Sequence, residues 1–162
     1  MKMIKWRTIG TMTGLLTLVA SMPLYAAPKL ELGTVSGAPG TAVELPIRFD
    51  AGGASIASMQ FELTLPAGLS AGSVSAGEAL NSENKTVSAR VDGRKWRFII
   101  FGLNQTPIGS RPLLTAQVKI ASGTPIGDLR IPIAGVLFVN PKGSGVASGR
   151  NKAGVVKIAS KS

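Results

Sequence analysis

Between residues 29 and 158 apolar and polar positions alternate, and no stretch keeps helical spacing over three turns. Strand-length runs fall at 30–35, 42–49, 56–65, 85–91, 95–103, 113–120, 129–133, 136–139 and 155–158. The phase of each run says which side chains turn inward. In "SMQFELTL" Met59, Phe61, Leu63 and Leu65 share one face, and Ser58, Gln60, Glu62 and Thr64 the other. In "RKWRFIIFGL" the inward set is Trp96, Phe98 and Ile100, because the opposite phase buries Lys95 and Arg97 without partners at a cost of several kcal/mol. Val43, Leu45, Ile47 and Phe49 form a further inward set, with Pro46 on the outward phase beside Glu44 and Arg48. A proline cannot donate to a ladder, so this strand is predicted to be an edge or to change partners there, and Pro132 repeats the signal in "LRIPIAG".

Turn chemistry separates the runs: Gly37 with Pro39 and Gly40, Gly52-Gly53, Pro66 with Gly68, Asp92-Gly93, Gly123 with Pro125 and Gly127, and Pro141 with Gly143. Short strands at this spacing predict an all-β antiparallel sandwich or jelly roll. The segment "PKGSGVASGRNKAG" reads as a mobile loop before the last strand.

The first 26 residues follow another pattern. Lys2, Lys5 and Arg7 precede an apolar run from Ile9 to Ala20, and small residues begin at Ala26, the form of a secretory signal peptide. The run is shorter than the ~20 residues a membrane span needs, so no permanent anchor is predicted. Residues 27–162 then form one domain, exported to the periplasm or the extracellular space of what reads as a bacterial source. Without Lys2, Lys5 and Arg7 the chain keeps 15 of its 18 Lys and Arg against 8 Asp and Glu, a net +7 that is spread along the sequence. There is no cysteine, so an oxidising compartment contributes no disulfide and stability rests on packing.

Composition narrows the chemistry. With neither histidine nor cysteine, the usual general base, the common nucleophile pairings and the favoured zinc ligands are missing. The eight carboxylates stand singly in separate strands and loops, and neither an Asp-rich calcium loop nor a phosphate-cradling glycine motif occurs. The chain is therefore not expected to be an enzyme or to carry a cofactor or metal. Arg90, Arg94, Lys95 and Arg97 lie on one predicted hairpin, but Trp96 and Phe98 point inward and leave no interleaved stacking residues, so nucleic acid is not the expected partner. "NKT" at Asn84 and "NQT" at Asn104 match the glycosylation acceptor pattern, a triplet common by chance.

The chain resembles the cohesin domain, the receptor module of bacterial cellulosomes. The similarity lies in "GTVSGAPGTAVELPIRF", "IASMQFELTLPAGLSAGSVSAGEAL", "RKWRFIIFGL", "LLTAQVKIASGTPIG" and "AGVVKI", in that order over residues 29–158. The resemblance implies a nine-stranded jelly-roll sandwich, related in fold to some carbohydrate-binding modules, that binds a dockerin domain by one flat sheet face. It assigns that face to the runs at 85–91, 56–65, 95–103 and 113–120. Outward phase then selects Gln60, Glu62, Ser88, Arg90, Arg97, Ile99, Gln117 and Lys119, with Ile99 and Phe101 an apolar pair beside charges. The chain departs from the family pattern where Gln60 replaces a partner-contacting Asn and Leu65-Pro66 replaces Tyr-Asp. Three functions stay open: a dockerin-like protein receptor, in polysaccharide degradation or surface assembly; a carbohydrate-binding module, for which residues 27–162 offer no Tyr and one Trp; and a self-associating envelope or matrix component.

Overall fold

A computed structural model describes residues 27–160; the leader read over residues 1–26 lies outside the described residues. The strands are β1 (Lys29–Leu32), β2 (Thr34–Gly37), β3 (Ala42–Asp50), β4 (Ser58–Thr64), β5 (Leu69–Ala76), β6 (Thr86–Asp92), β7 (Lys95–Phe101), β8 (Pro112–Ile120), β9 (Gly127–Ile131), β10 (Ile133–Val139), β11 (Gly145–Val146) and β12 (Gly154–Ile158), with one short helix, α1 (Glu78–Ser82). They form a sheet ordered β1-β3-β8-β5, a second ordered β11-β10-β4-β7-β6, and a small third ordered β2-β12-β9. The inner faces enclose one core, in which Trp96, Phe49, Phe61, Phe98 and Phe138 are the largest fully buried side chains. Counting β1 with β2 and β9 with β10 as interrupted strands, and setting aside the two-residue β11, the sandwich has the nine strands expected.

The two prolines explain the interruptions. β1 pairs with β3 from Lys29↔Asp50 to Leu32↔Ile47, and the next residue, Gly33, donates its N–H to the Pro46 carbonyl at 2.9 Å. Pro46 has no N–H to return, so the Gly33 carbonyl is left to another strand, and it accepts from Val155 at 3.3 Å. From Thr34 onward the chain pairs in parallel with β12, extending the parallel bridge that Glu31 already makes with Lys152. Of the two outcomes expected for the strand carrying Pro46, the structure shows the edge: β3 keeps β8 along its length and loses β1 at Pro46, and the strand that changes partner is the one opposite. Gly33 is required by contact: a Cβ there would lie 2.6 Å from Pro46 Cγ. Pro132 stands likewise where the chain leaves β9 in the small sheet for β10 in the five-stranded one, its carbonyl accepting from Thr64 at 3.1 Å.

Three elements differ from the sequence reading. β5 is not among the predicted runs, since the small residues of "LSAGSVSA" show no clear alternation, yet it pairs with β8 around a bulge between Ala71 and Val74. α1 is one turn long, too short for a period to register, and buries Ala79 and Leu80. The segment 141–154 contains β11 and is tied to β1: Gly149 donates to Pro28 at 2.7 Å, Lys152 to Leu30 at 2.9 Å, and Leu30 N to Asn151 Oδ1 at 2.8 Å. It is a fixed flank of the first strand rather than a mobile loop.

Candidate protein-binding face

β4 and β7 run antiparallel with Met59↔Ile100, Phe61↔Phe98 and Leu63↔Trp96 turned into the core. Phe61 and Phe98 stack with centroids 4.9 Å apart, and Trp96 leans on Phe98 at the same distance, so a close-packed aromatic layer backs the outer surface. The intervening residues face solvent in rows. Arg90, Arg97, Glu62 and Ala134 lie across β6, β7, β4 and β10; Ser88, Ile99, Gln60 and Leu137 form the adjacent row. Thr86 and Phe101 continue it on one side, and Asp92, Lys95 and Thr64 on the other.

Three large apolar side chains stand out on this face: Ile99 is 41% exposed, Phe101 43% and Leu137 44%. Their joint exposure on one side of one sheet is the composition that an association surface favours. Arg97 donates from Nε and Nη2 to a single Glu62 oxygen, at 2.9 and 2.6 Å. Its side chain is more than half exposed, so solvent screens the pair and it adds about 0–1 kcal/mol to stability. Arg90, directly opposite Arg97 on the edge strand, has no carboxylate within 4 Å among the described residues. Two open depressions flank Arg97. One of about 330 Å³ is lined by Arg90, Val91, Asp92, Lys95 and Arg97, and the other, about 350 Å³, reaches Gln60, Ile99 and Gly135.

The second depression depends on a bulge in β10. Register slips between Ala134 and Leu137, and Gly135 takes φ +60°, a conformation that favours glycine. This places Ala134 beside Glu62 and Leu137 beside Gln60 on the same outer surface. The loop after β7 is held from below by Lys85, which is 6% exposed and donates from Nζ to the Asn104 carbonyl at 3.1 Å. Burial lowers the Lys85 pKa from its ordinary value, opposed by the charge of Glu83.

Of the eight residues expected on one face, Gln60, Glu62, Ser88, Arg90, Arg97 and Ile99 occur together on β4, β6 and β7. Gln117 and Lys119 do not join them. Their strand, β8, lies between β3 and β5 in the opposite sheet, where Gln117 accepts from Ser73 N and Oγ at 3.4 Å. Alternation tells which side of a strand meets the core but not which of the two sheets holds it, so β8 and β10 are indistinguishable by that test. The residues missed are Ala134 and Leu137 on β10, whose alternation the Gly135 bulge breaks. The readable signal was the glycine itself, inside an otherwise apolar strand. Elsewhere, no group of three or more His, Cys, Asp or Glu converges among the described residues, and none of their buried side-chain nitrogens or oxygens lacks a hydrogen-bond partner.

A family model, described as the cohesin domain, matches residues 28–159. No curated protein matches. Solved structures of similar fold include a non-cellulosomal cohesin from the hyperthermophilic archaeon Archaeoglobus fulgidus, at 17% identity and TM-score 0.69, covering 83% of this chain and 93% of that one. The seventh ScaB type I cohesin from Pseudobacteroides cellulosolvens is 18% identical at TM-score 0.72, covering 84% and 94%. A type I cohesin–dockerin complex from Clostridium thermocellum, Coh-OlpC-Doc435, is 17% identical at TM-score 0.71, covering 84% and 96%.

Proposed function

We propose that this chain, which belongs to the cohesin domain family, is an exported, non-catalytic receptor that binds a dockerin-like protein through the outer face of β10, β4, β7 and β6. The observation that carries the reading is the joint exposure of Ile99, Phe101 and Leu137 on that face, beside Arg90 and Arg97 and over a rigid aromatic layer. That a similar fold is seen in complex with a dockerin supports a protein as the partner. A sugar platform is less well supported: Trp96 is buried, and a Phe without a polar handle is the exposed aromatic residue here. The basic leader and its apolar run support export, and with it a place in extracellular polysaccharide degradation or surface assembly. Contact is assigned to Gln60, Glu62, Ser88, Arg90, Arg97 and Ile99, joined by Phe101 and Leu137.

The test is capture on immobilised residues 27–162 from the secreted and envelope fractions of the source organism, with and without a calcium chelator, since dockerins fold around calcium. A dockerin-bearing protein should be recovered only with calcium, and the Arg97→Ala/Ile99→Ala double variant should lose it while keeping the wild-type unfolding midpoint. Undiminished capture by the double variant would remove this face from the assignment. Recovery of glycan, or of the chain itself, would replace the partner.

A further inference from the structure

The arginine pair at the β6 edge narrows the chemistry of the partner, and the inference rests on the dockerin-type reading just given. Arg90 and Arg97 are directly opposed across the β6–β7 ladder, an arrangement in which like charges destabilise a sheet. Glu62 neutralises Arg97 from the β4 side and does not reach Arg90. Arg90 is exposed on the edge strand, and among the described residues no carboxylate forms an ion pair with its guanidinium. The depression between the two arginines is lined by three cations, Arg90, Lys95 and Arg97, against the single carboxylate of Asp92. With Arg94 in the turn, the hairpin has an excess of positive charge at one end of the face. An anion placed between the arginines turns a repulsive pair into two charge-assisted hydrogen bonds.

We infer that the partner presents a carboxylate between Arg90 and Arg97, with an apolar side chain laid over Ile99 in the next row. The apolar row argues for an acidic protein surface rather than an anionic polymer. A polymer satisfies the arginines but leaves Ile99, Phe101 and Leu137 in water, whereas a protein side chain covers them and so gains from both features. Arg90 is the specificity-determining member of the pair. Arg97 already holds a carboxylate from its own chain, so the charge that chooses among partners is the one left open.

The experiment measures binding of residues 27–162 to two sets of purified, calcium-loaded dockerin modules, one with acidic and one with basic residues on the surface that contacts cohesins. The acidic set should bind, with an association rate that falls as salt is raised. Arg90→Ala should weaken binding about tenfold, Arg90→Glu should abolish it, and an acid-to-lysine change in the dockerin should restore binding to Arg90→Glu. Binding of the basic set, or affinities indifferent to Arg90, would overturn the carboxylate while leaving the dockerin reading intact. If neither set binds, the inference and that reading fail together. Heparin then serves as a probe: binding weakened by Arg90→Ala but not by Ile99→Ser would identify a polyanion site in place of a protein one.

Discussion

Replacing Gly33 by alanine tests the handover of the first strand between sheets. The added Cβ would stand 2.6 Å from Pro46 Cγ and 3.0 Å from Pro46 Cδ, where carbon atoms rest about 3.5–4.0 Å apart. The ring is stiff and its backbone is tied into the β3–β8 ladder through Pro46↔Thr115, so about 1 Å must be found by moving strands. Overpacking of this kind costs about 1–3 kcal/mol. Alanine also restricts the unfolded chain, which returns about 0.4–1 kcal/mol. The net expectation is a loss of about 1–2 kcal/mol, read as a lower urea midpoint at unchanged slope and a melting temperature lower by about 4–8 °C. Because the clash is with the ring, Pro46→Ala in the same chain should relieve it. The double variant should be more stable than the sum of the two single losses by about 1 kcal/mol, a coupling that only contacting residues show. Gly33→Ala with a wild-type midpoint, or single losses that simply add, would refute the claim that these residues meet at the switch.

The remaining predictions concern the base of the face. Lys85 has a folded-state pKa below its ordinary 10.5, so between the two values the unfolded chain binds more protons and stability should rise with pH through that window. The penalty is fully present below the folded pKa and gone above the ordinary one; Lys85→Met should remove the rise, and parallel stability–pH curves for variant and wild type would disprove the cause. Phe98→Ala, which opens a cavity beneath Ile99 and breaks both aromatic contacts, should cost about 3–5 kcal/mol by chemical denaturation. A loss under about 1 kcal/mol would mean the layer is not close-packed.

Most of the architecture was legible because inward phase and proline placement are local. Trp96, Phe98 and Ile100 are buried where the charges of Lys95 and Arg97 required it, and Pro46 marks where β3 becomes an edge because a residue without an N–H cannot complete a second ladder. The face was legible in part. Ser88, Arg90, Arg97 and Ile99 follow from the β6–β7 hairpin, whose short turn sets its register, while Gln60 and Glu62 were placed beside them by the family resemblance. Which strand flanks them on the other side is a matter of long-range pairing. β8 and β10 present the same kind of inward face, and the bulge at Gly135 hides the phase of the one that is used. β5 was missed for a different reason: its residues are too small to show a hydrophobic period, and its place comes from β8 and from the fit of Gly77 against the Pro112 and Leu113 carbonyls.

The parallel pairing of β2 with β12 also sets how the domain bears force. β2, near the start of the fold, and β12, its last strand, lie side by side and point the same way, with Thr34 to Gly37 registered on Val155 to Ile158. Opposite pulls applied beyond these strands, one before β1 and one after β12, slide them past each other along their length. Four registered pairs then share the load at once, where an antiparallel pair would peel open from one end. The handover opposite Pro46 thus places β2 where it can act as a shear clamp, and under tension the sheets between the two ends would stay folded for as long as that clamp holds.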